Sequence, residues 1–214
     1  LALVSSIANA SKYSAVVVDG NTREILFADG ETMRRHPAGL VKLMTLYVAI
    51  RAIEEGEVGL DDKVIISNHA ASEAPVKLGL RAGQNIRLRY LLRAAAVHGS
   101  NDAATAIAEH IEGTEAAFAR RMNRTAEVLG MTLSTFRNAH GLTESGQLTT
   151  ALDMAKLFLA LNEEFPDYFN LFSRLTTSAG VKTIRHSGRR LLASDYRILG
   201  AKTGYTRASG FSGI

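Results

Sequence analysis

From Pro37 to about Glu55 runs the segment that most limits how this chain can fold. Leu40, Leu43, Met44, Tyr47, Val48, Ile50 and Ile53 circle most of a helical surface there instead of marking one stripe. A helix apolar nearly all round is stable only when other elements cover it on every side, so it is central and buried. Pro37 near the first helical position and Gly56 just past the end are start and stop signals. Early in this apolar run stands a charge, Lys42. An unpaired ammonium is expensive in such surroundings, so Lys42 is expected in a polar cluster.

The remaining segments supply the cover. Lys12–Asp19 and Arg23–Ala28 are β-rich runs joined by a turn at Gly20-Asn21-Thr22, which predicts a hairpin. Lys63–Ile66 is a short strand-like run. Residues 89–97 and 101–111 are predicted helices, broken at His98-Gly99-Ser100. Thr114 caps a further helix that places Phe118, Met122, Thr125 and Leu129 on one face and stops at Gly130. Thr150-x-x-Asp153 opens another, with Met154, Leu157, Phe158 and Leu161 as its stripe. Short strands are expected again at Thr183–His186, Arg190–Ala193 and Ile198–Lys202. The order of strands, many helices, then strands implies a mixed α/β fold: an antiparallel sheet built from both chain ends with a helical region inserted. Residues 11–214 are one domain, its sheet part at about 11–56 and 180–214 and its helical part at about 57–179. Ala8-Asn9-Ala10 follows a short apolar stretch, so residues 1–10 are either an export-signal remnant or a first helix.

Composition narrows the function classes. At 214 residues and 46% hydrophobic, the chain can bury a real core. The net charge of +4 is mild, and Arg81/Arg87/Arg89/Arg93, Arg120/Arg121/Arg124 and Arg185/Arg189/Arg190 are expected to be solvated, locally paired surface groups. No aromatic-interleaved basic motif points to nucleic acid. Cysteine is absent, which excludes disulfides and thiolate metal sites. His36, His140 and His186 lack metal-ligand spacing, so neither metal nor cofactor is expected. No apolar run is long enough to span a membrane. Membrane association and oligomeric state are not readable.

Three short segments stand out together: Gly39-Leu40-Val41-Lys42 at a helix start, Gly99-Ser100-Asn101 at a helix break, and Lys202-Thr203-Gly204 late in the chain. Their order and spacing resemble the S-x-x-K, S-x-N and K-T-G motifs of the serine DD-peptidases and β-lactamases. The likeness is greatest to the low-molecular-weight D-alanyl-D-alanine carboxypeptidases. HPAGLVKLMT, HGSNDAATAIAEHI, MNRTAEVLGM, TFRNAHGL, LTTALDMAKL and AKTGYTRASGF each resemble a segment of that family, from about Lys12 to Phe211. The resemblance implies a β-lactamase/DD-peptidase-like fold and a cleft for a peptidoglycan stem peptide or a β-lactam. It also implies an extracytoplasmic, periplasmic setting. The family's sheet continues past the K-T-G strand, whereas only Phe211-Ser212-Gly213-Ile214 begins another strand here, so final strands are expected to be missing.

In the family a serine Oγ attacks the substrate carbonyl and a lysine one helical turn later takes the proton. Carried over, Lys42 matches that lysine, Asn101 the second-motif amide, and Lys202, Thr203 and Gly204 the third motif. The backbone N–H groups of Gly39 and Tyr205 match the oxyanion hole. Gly39 stands at the nucleophile position and Gly99 at the second serine, so both catalytic hydroxyls are replaced. Ser100, one residue off, would point elsewhere, and His98 is a neighbour of the cleft. The expectation is a carboxypeptidase-like protein with impaired catalysis and a retained stem-peptide cleft. The alternatives are an active hydrolase using another nucleophile or a water activated by Lys42, and a non-catalytic scaffold.

Overall fold

The computed structural model describes residues 13–214, so the expectation for residues 1–10 lies outside the described residues. Strands β1 (Ala15–Val18) and β2 (Ile25–Asp29) form the predicted hairpin, pairing Val16 with Ala28 and carrying a bulge between Val17 and Val18. The Asp19 carboxylate shapes its turn by accepting the N–H groups of Asn21 and Thr22, each at 2.8 Å.

A single 3₁₀ turn, Ala38–Leu40, leads into α1 (Val41–Glu54). Every residue of α1 from Val41 to Ile50 is buried, as its circumferential apolar pattern requires. The cover is built next. Strands β3 (Lys63–Ile65) and β4 (Asn85–Arg87) pair around α2 (Asn68–Ser72). Helix α3 (Leu88–Arg93) widens into one π turn, Ala94–His98, before α4 (Asn101–Glu112). Helix α5 (Glu115–Val128) starts at Thr114, whose hydroxyl accepts the Ala117 N–H, and α6 (Ala151–Glu164) starts at Thr150, which does the same for Asp153. Helices α4, α5 and α6 all pack on α1. The short α7 (Pro166–Phe169) follows, then β5 (Thr176–Ser178) paired with β6 (Thr183–Arg185), α8 (Arg189–Ser194), and the hairpin of β7 (Thr203–Thr206) and β8 (Gly210–Gly213).

The architecture is the expected mixed α/β one, with three differences in detail. The two terminal hairpins do not join into one sheet among the described residues; a groove of about 350 Å³ separates β1 from β8, edged by Ala15, Val16, Phe211 and Ile214. The predicted strand at Arg190–Ala193 is instead α8. Arg, Leu and Ala are good helix formers, and one turn suffices to bury Leu192 while Leu191 faces out. The run Ile198–Lys202 is irregular, and the late strand begins at Thr203, with Lys202 already pairing through its backbone with Ile214.

Candidate active site

The central helix puts Lys42 on its first turn, where its ammonium leaves the apolar interior toward a cleft of about 720 Å³. Lys42 Nζ donates to Asn101 Oδ1 at 2.7 Å and to the backbone carbonyl of His140. Burial, and after it the charge of Lys202, hold Lys42 well below the usual ammonium value. The expected polar cluster is therefore present, but its acceptors are an amide and a main-chain carbonyl, not a carboxylate.

Asn101 is aimed at Lys42 by its other end. Its Nδ2 donates to the Ala74 carbonyl at 2.8 Å, which turns Oδ1 toward the lysine. The next residue fixes the loop that carries Ala74. Asp102, fully buried, accepts the N–H groups of Leu78, Gly79 and Leu80 at 2.8, 2.8 and 3.0 Å and that of Ala103 at 2.9 Å. The negative charge also lies at the N-terminus of α4, where the helix dipole favours it. On the third side, Gly141 at φ +90° lies so close under the Ala38 carbonyl that any side chain would overlap it. That approach lets His140 present its carbonyl to Lys42.

Gly39 sits in the 3₁₀ turn, one helical turn before Lys42, and β7 lies directly against it. A Cβ placed on Gly39 would stand 3.0 Å from the Thr203 carbonyl oxygen and 3.1 Å from Gly204 Cα. Gly99 adopts a left-handed conformation at φ +83°, and a Cβ there would stand 3.3 Å from Lys202 Nζ. Lys202 is buried, and that burial lowers its pKa to about 8. Its ammonium donates to the Thr203 carbonyl at 3.2 Å. Thr203 Oγ1 in turn donates to Ser187 Oγ at 3.0 Å. Among the described residues, no hydroxyl is hydrogen-bonded to either lysine.

All the site residues predicted from sequence, Gly39, Lys42, Gly99, Asn101, Lys202, Thr203, Gly204 and Tyr205, line this one cleft. Ser100 is fully buried, with its Oγ 2.8 Å from His98 Nδ1. His98 lines the cleft, and burial followed by the charge of Lys182 lowers its pKa. The Asp102 clamp, the Ala74 and His140 carbonyls and Ser187 were not singled out from sequence. Two of these act through the backbone, which carries no residue-specific signal; only Asp102, directly after Asn101, could have been found. The metal-capable donors of the described residues, His69, Glu73 and Glu115, stand on the far side of His140.

A family model described as D-alanyl-D-alanine carboxypeptidase, peptidase S11, matches residues 4–213. The chain is 32% identical over 207 residues to the D-alanyl-D-alanine carboxypeptidase DacF of Bacillus subtilis, covering 94% of this chain and 52% of that protein. To DacD of Escherichia coli it is 34% identical over 205 residues, covering 93% and 53%. The chain thus spans about half the length of the curated relatives it matches. The structure of penicillin binding protein 6B from Escherichia coli superposes with a TM-score of 0.83 at 34% identity, covering 93% of this chain and 65% of that one. An ampicillin-bound form of penicillin-binding protein D2 from Listeria monocytogenes superposes with a TM-score of 0.79 at 26% identity, covering 92% and 80%.

Proposed function

Because the chain belongs to the D-alanyl-D-alanine carboxypeptidase family, we propose that its cleft binds peptidoglycan stem peptides ending in D-alanyl-D-alanine without being acylated by them. The observation that carries this reading is Gly39. It occupies the position from which a side-chain oxygen would attack, and it leaves Lys42 bonded to two carbonyl oxygens with no hydroxyl to deprotonate. Removing the nucleophile from a coupled catalytic unit costs on the order of 10⁶ in rate, because what is left is binding and oxyanion stabilisation.

Lys202 and Thr203 are the groups for the peptide's terminal carboxylate, and Asn101 for its amide. The N–H groups of Gly39 and Tyr205 are the oxyanion donors. The Listeria relative holds ampicillin, which supports a β-lactam as a second ligand of the same cleft. A peptidoglycan ligand places the protein outside the cytoplasm, in the cell envelope. No helix of the described residues is long and apolar enough to cross a membrane.

A second reading, hydrolysis by a water that Lys42 deprotonates, is favoured by the lowered proton affinity of that lysine. Incubation with a fluorescent penicillin followed by denaturation separates the readings from an acylating enzyme: no label is expected. Stoichiometric, hydroxylamine-sensitive label would overturn the proposal. Calorimetry with a D-alanyl-D-alanine pentapeptide is expected to show saturable binding, and its absence would leave a scaffold without this ligand. Release of D-alanine that disappears in Lys42→Met would establish the water route.

A further inference from the structure

Positive charge in the cleft has no matching acid. Lys42 and Lys202, 2% and 1% exposed, both line it, and among the described residues no aspartate or glutamate does. The acids whose charge reaches Lys42, Glu73 and Asp102, are buried outside that lining. Asp102 is bonded to backbone N–H groups, and Glu73 Oε1 accepts the Thr105 hydroxyl at 2.9 Å. Each ammonium also keeps donors in reserve, since it has three. Lys42 uses two, on Asn101 Oδ1 and the His140 carbonyl, and Lys202 uses one, on the Thr203 carbonyl at 3.2 Å. An anionic acceptor satisfies both the charge and the remaining donors.

We propose that the preferred ligand of this cleft is a stem peptide that has already lost its terminal D-alanine, held by its new carboxylate between Lys42 and Lys202. The inference rests on the reading of the cleft as a stem-peptide site and ranks the peptides that enter it.

Gly39 selects the carboxylate. A serine peptidase passes through an ester between its hydroxyl and the carbonyl of the penultimate D-alanine. The shortened peptide ends in a carboxylate on that same carbon, so it brings the second oxygen that Gly39 lacks. In the uncut peptide the same carbon belongs to a neutral amide, a weaker acceptor for an ammonium. Gly99 acts on the other wall. A Cβ there would stand 3.3 Å from Lys202 Nζ, so that ammonium lies where a side chain of residue 99 would project. Asn101, two residues on, holds Lys42. No side chain on Gly99 separates the two cations, and after burial the charge of Lys202 is the largest influence on Lys42.

The backbone completes the seat. Lys202 and Ile214 exchange both backbone hydrogen bonds, at 2.9 and 3.0 Å. The antiparallel alternation therefore turns the N–H and C=O groups of Thr203 and Tyr205 away from β8. The Thr203 carbonyl accordingly meets Gly39, and the Tyr205 N–H lies on the same edge of β7. One carboxylate oxygen takes that N–H while the other takes the third donor of Lys42.

The test is calorimetry at pH 7 with diacetyl-L-lysyl-D-alanine, with diacetyl-L-lysyl-D-alanyl-D-alanine, and with the C-terminal amide of the shorter peptide. The shorter acid is expected to bind about tenfold more tightly than the longer one, and its amide to lose that advantage. In Lys42→Met the two acids are expected to bind equally. The amide comparison uses the parent protein, so it does not depend on the variant folding. The inference is overturned if the longer acid binds as tightly as the shorter, if the amide matches the shorter acid, or if Lys42→Met keeps the preference. Those outcomes leave the stem-peptide reading standing, whereas absence of binding by both acids overturns the two together.

Discussion

Lys202 shows how one buried group can act in opposite senses on stability and on binding. Its pKa, ordinarily 10.5, is lowered to about 8 by burial. Between those values the unfolded chain holds the proton and the folded chain does not, so stability rises with pH across that window. Urea midpoints measured from pH 7 to 11 are expected to rise by the equivalent of about 3 kcal/mol, and Lys202→Met is expected to flatten the part due to this residue. Carboxylate binding runs the other way: affinity for a stem peptide is expected to fall as pH passes through about 8, because the cation is lost. The two glycines set a different limit. Gly99→Ser places an L side chain at φ +83°, at a cost of about 1–2 kcal/mol. Gly39→Ser requires β7 to yield by a few tenths of an ångström. The double variant is therefore expected to be less stable than the parent and to regain slow penicillin labelling, read by thermal melts and by gel fluorescence.

Between helices and loops, the junction at the N-terminus of α4 does most to position the cleft. Asp102 gathers four backbone N–H groups, three of them from the 78–80 loop, and Asn101 beside it ties that loop's Ala74 to Lys42. Asp102→Ala leaves buried donors without acceptors and is expected to cost about 3 kcal/mol in denaturant unfolding, with Asp102→Asn recovering part of it. Local sequence announced the position of this junction: the predicted break at His98-Gly99-Ser100 is where the π turn ends, and the helix predicted from residue 101 begins at Asn101. The same local reading failed for Arg190–Ala193 and Ile198–Lys202, where runs of four or five residues carry too little periodicity to separate one helical turn from a strand. Three of the clustered arginines have the expected local acidic partners, with Arg87 and Arg89 both on Asp61 and Arg121 meeting Glu55, Glu57 and Glu112.

At the scale of the whole molecule, a buried helix carries the lysine, and a thinner hairpin closes the cleft over it. Amides of α1 are expected to exchange with deuterium most slowly, and those of β7 and β8 at least tenfold faster, because the hairpin exposes Tyr205 and Phe211 where α1 exposes almost nothing. Peptide-resolved hydrogen exchange reads both, and equal protection would contradict the view of the hairpin as the weaker wall. By itself the sequence determined the central helix, the order of the three motifs and the glycines at positions 39 and 99, since periodicity, spacing and residue identity are local properties of the chain. Tertiary structure alone decided that Lys42 is held by the Asn101 amide and a His140 carbonyl, and that the terminal hairpins stay apart among the described residues. The physical reason is that backbone acceptors look alike at every position, and distances between segments far apart in the chain are set by packing around α1, not by any pattern within a segment.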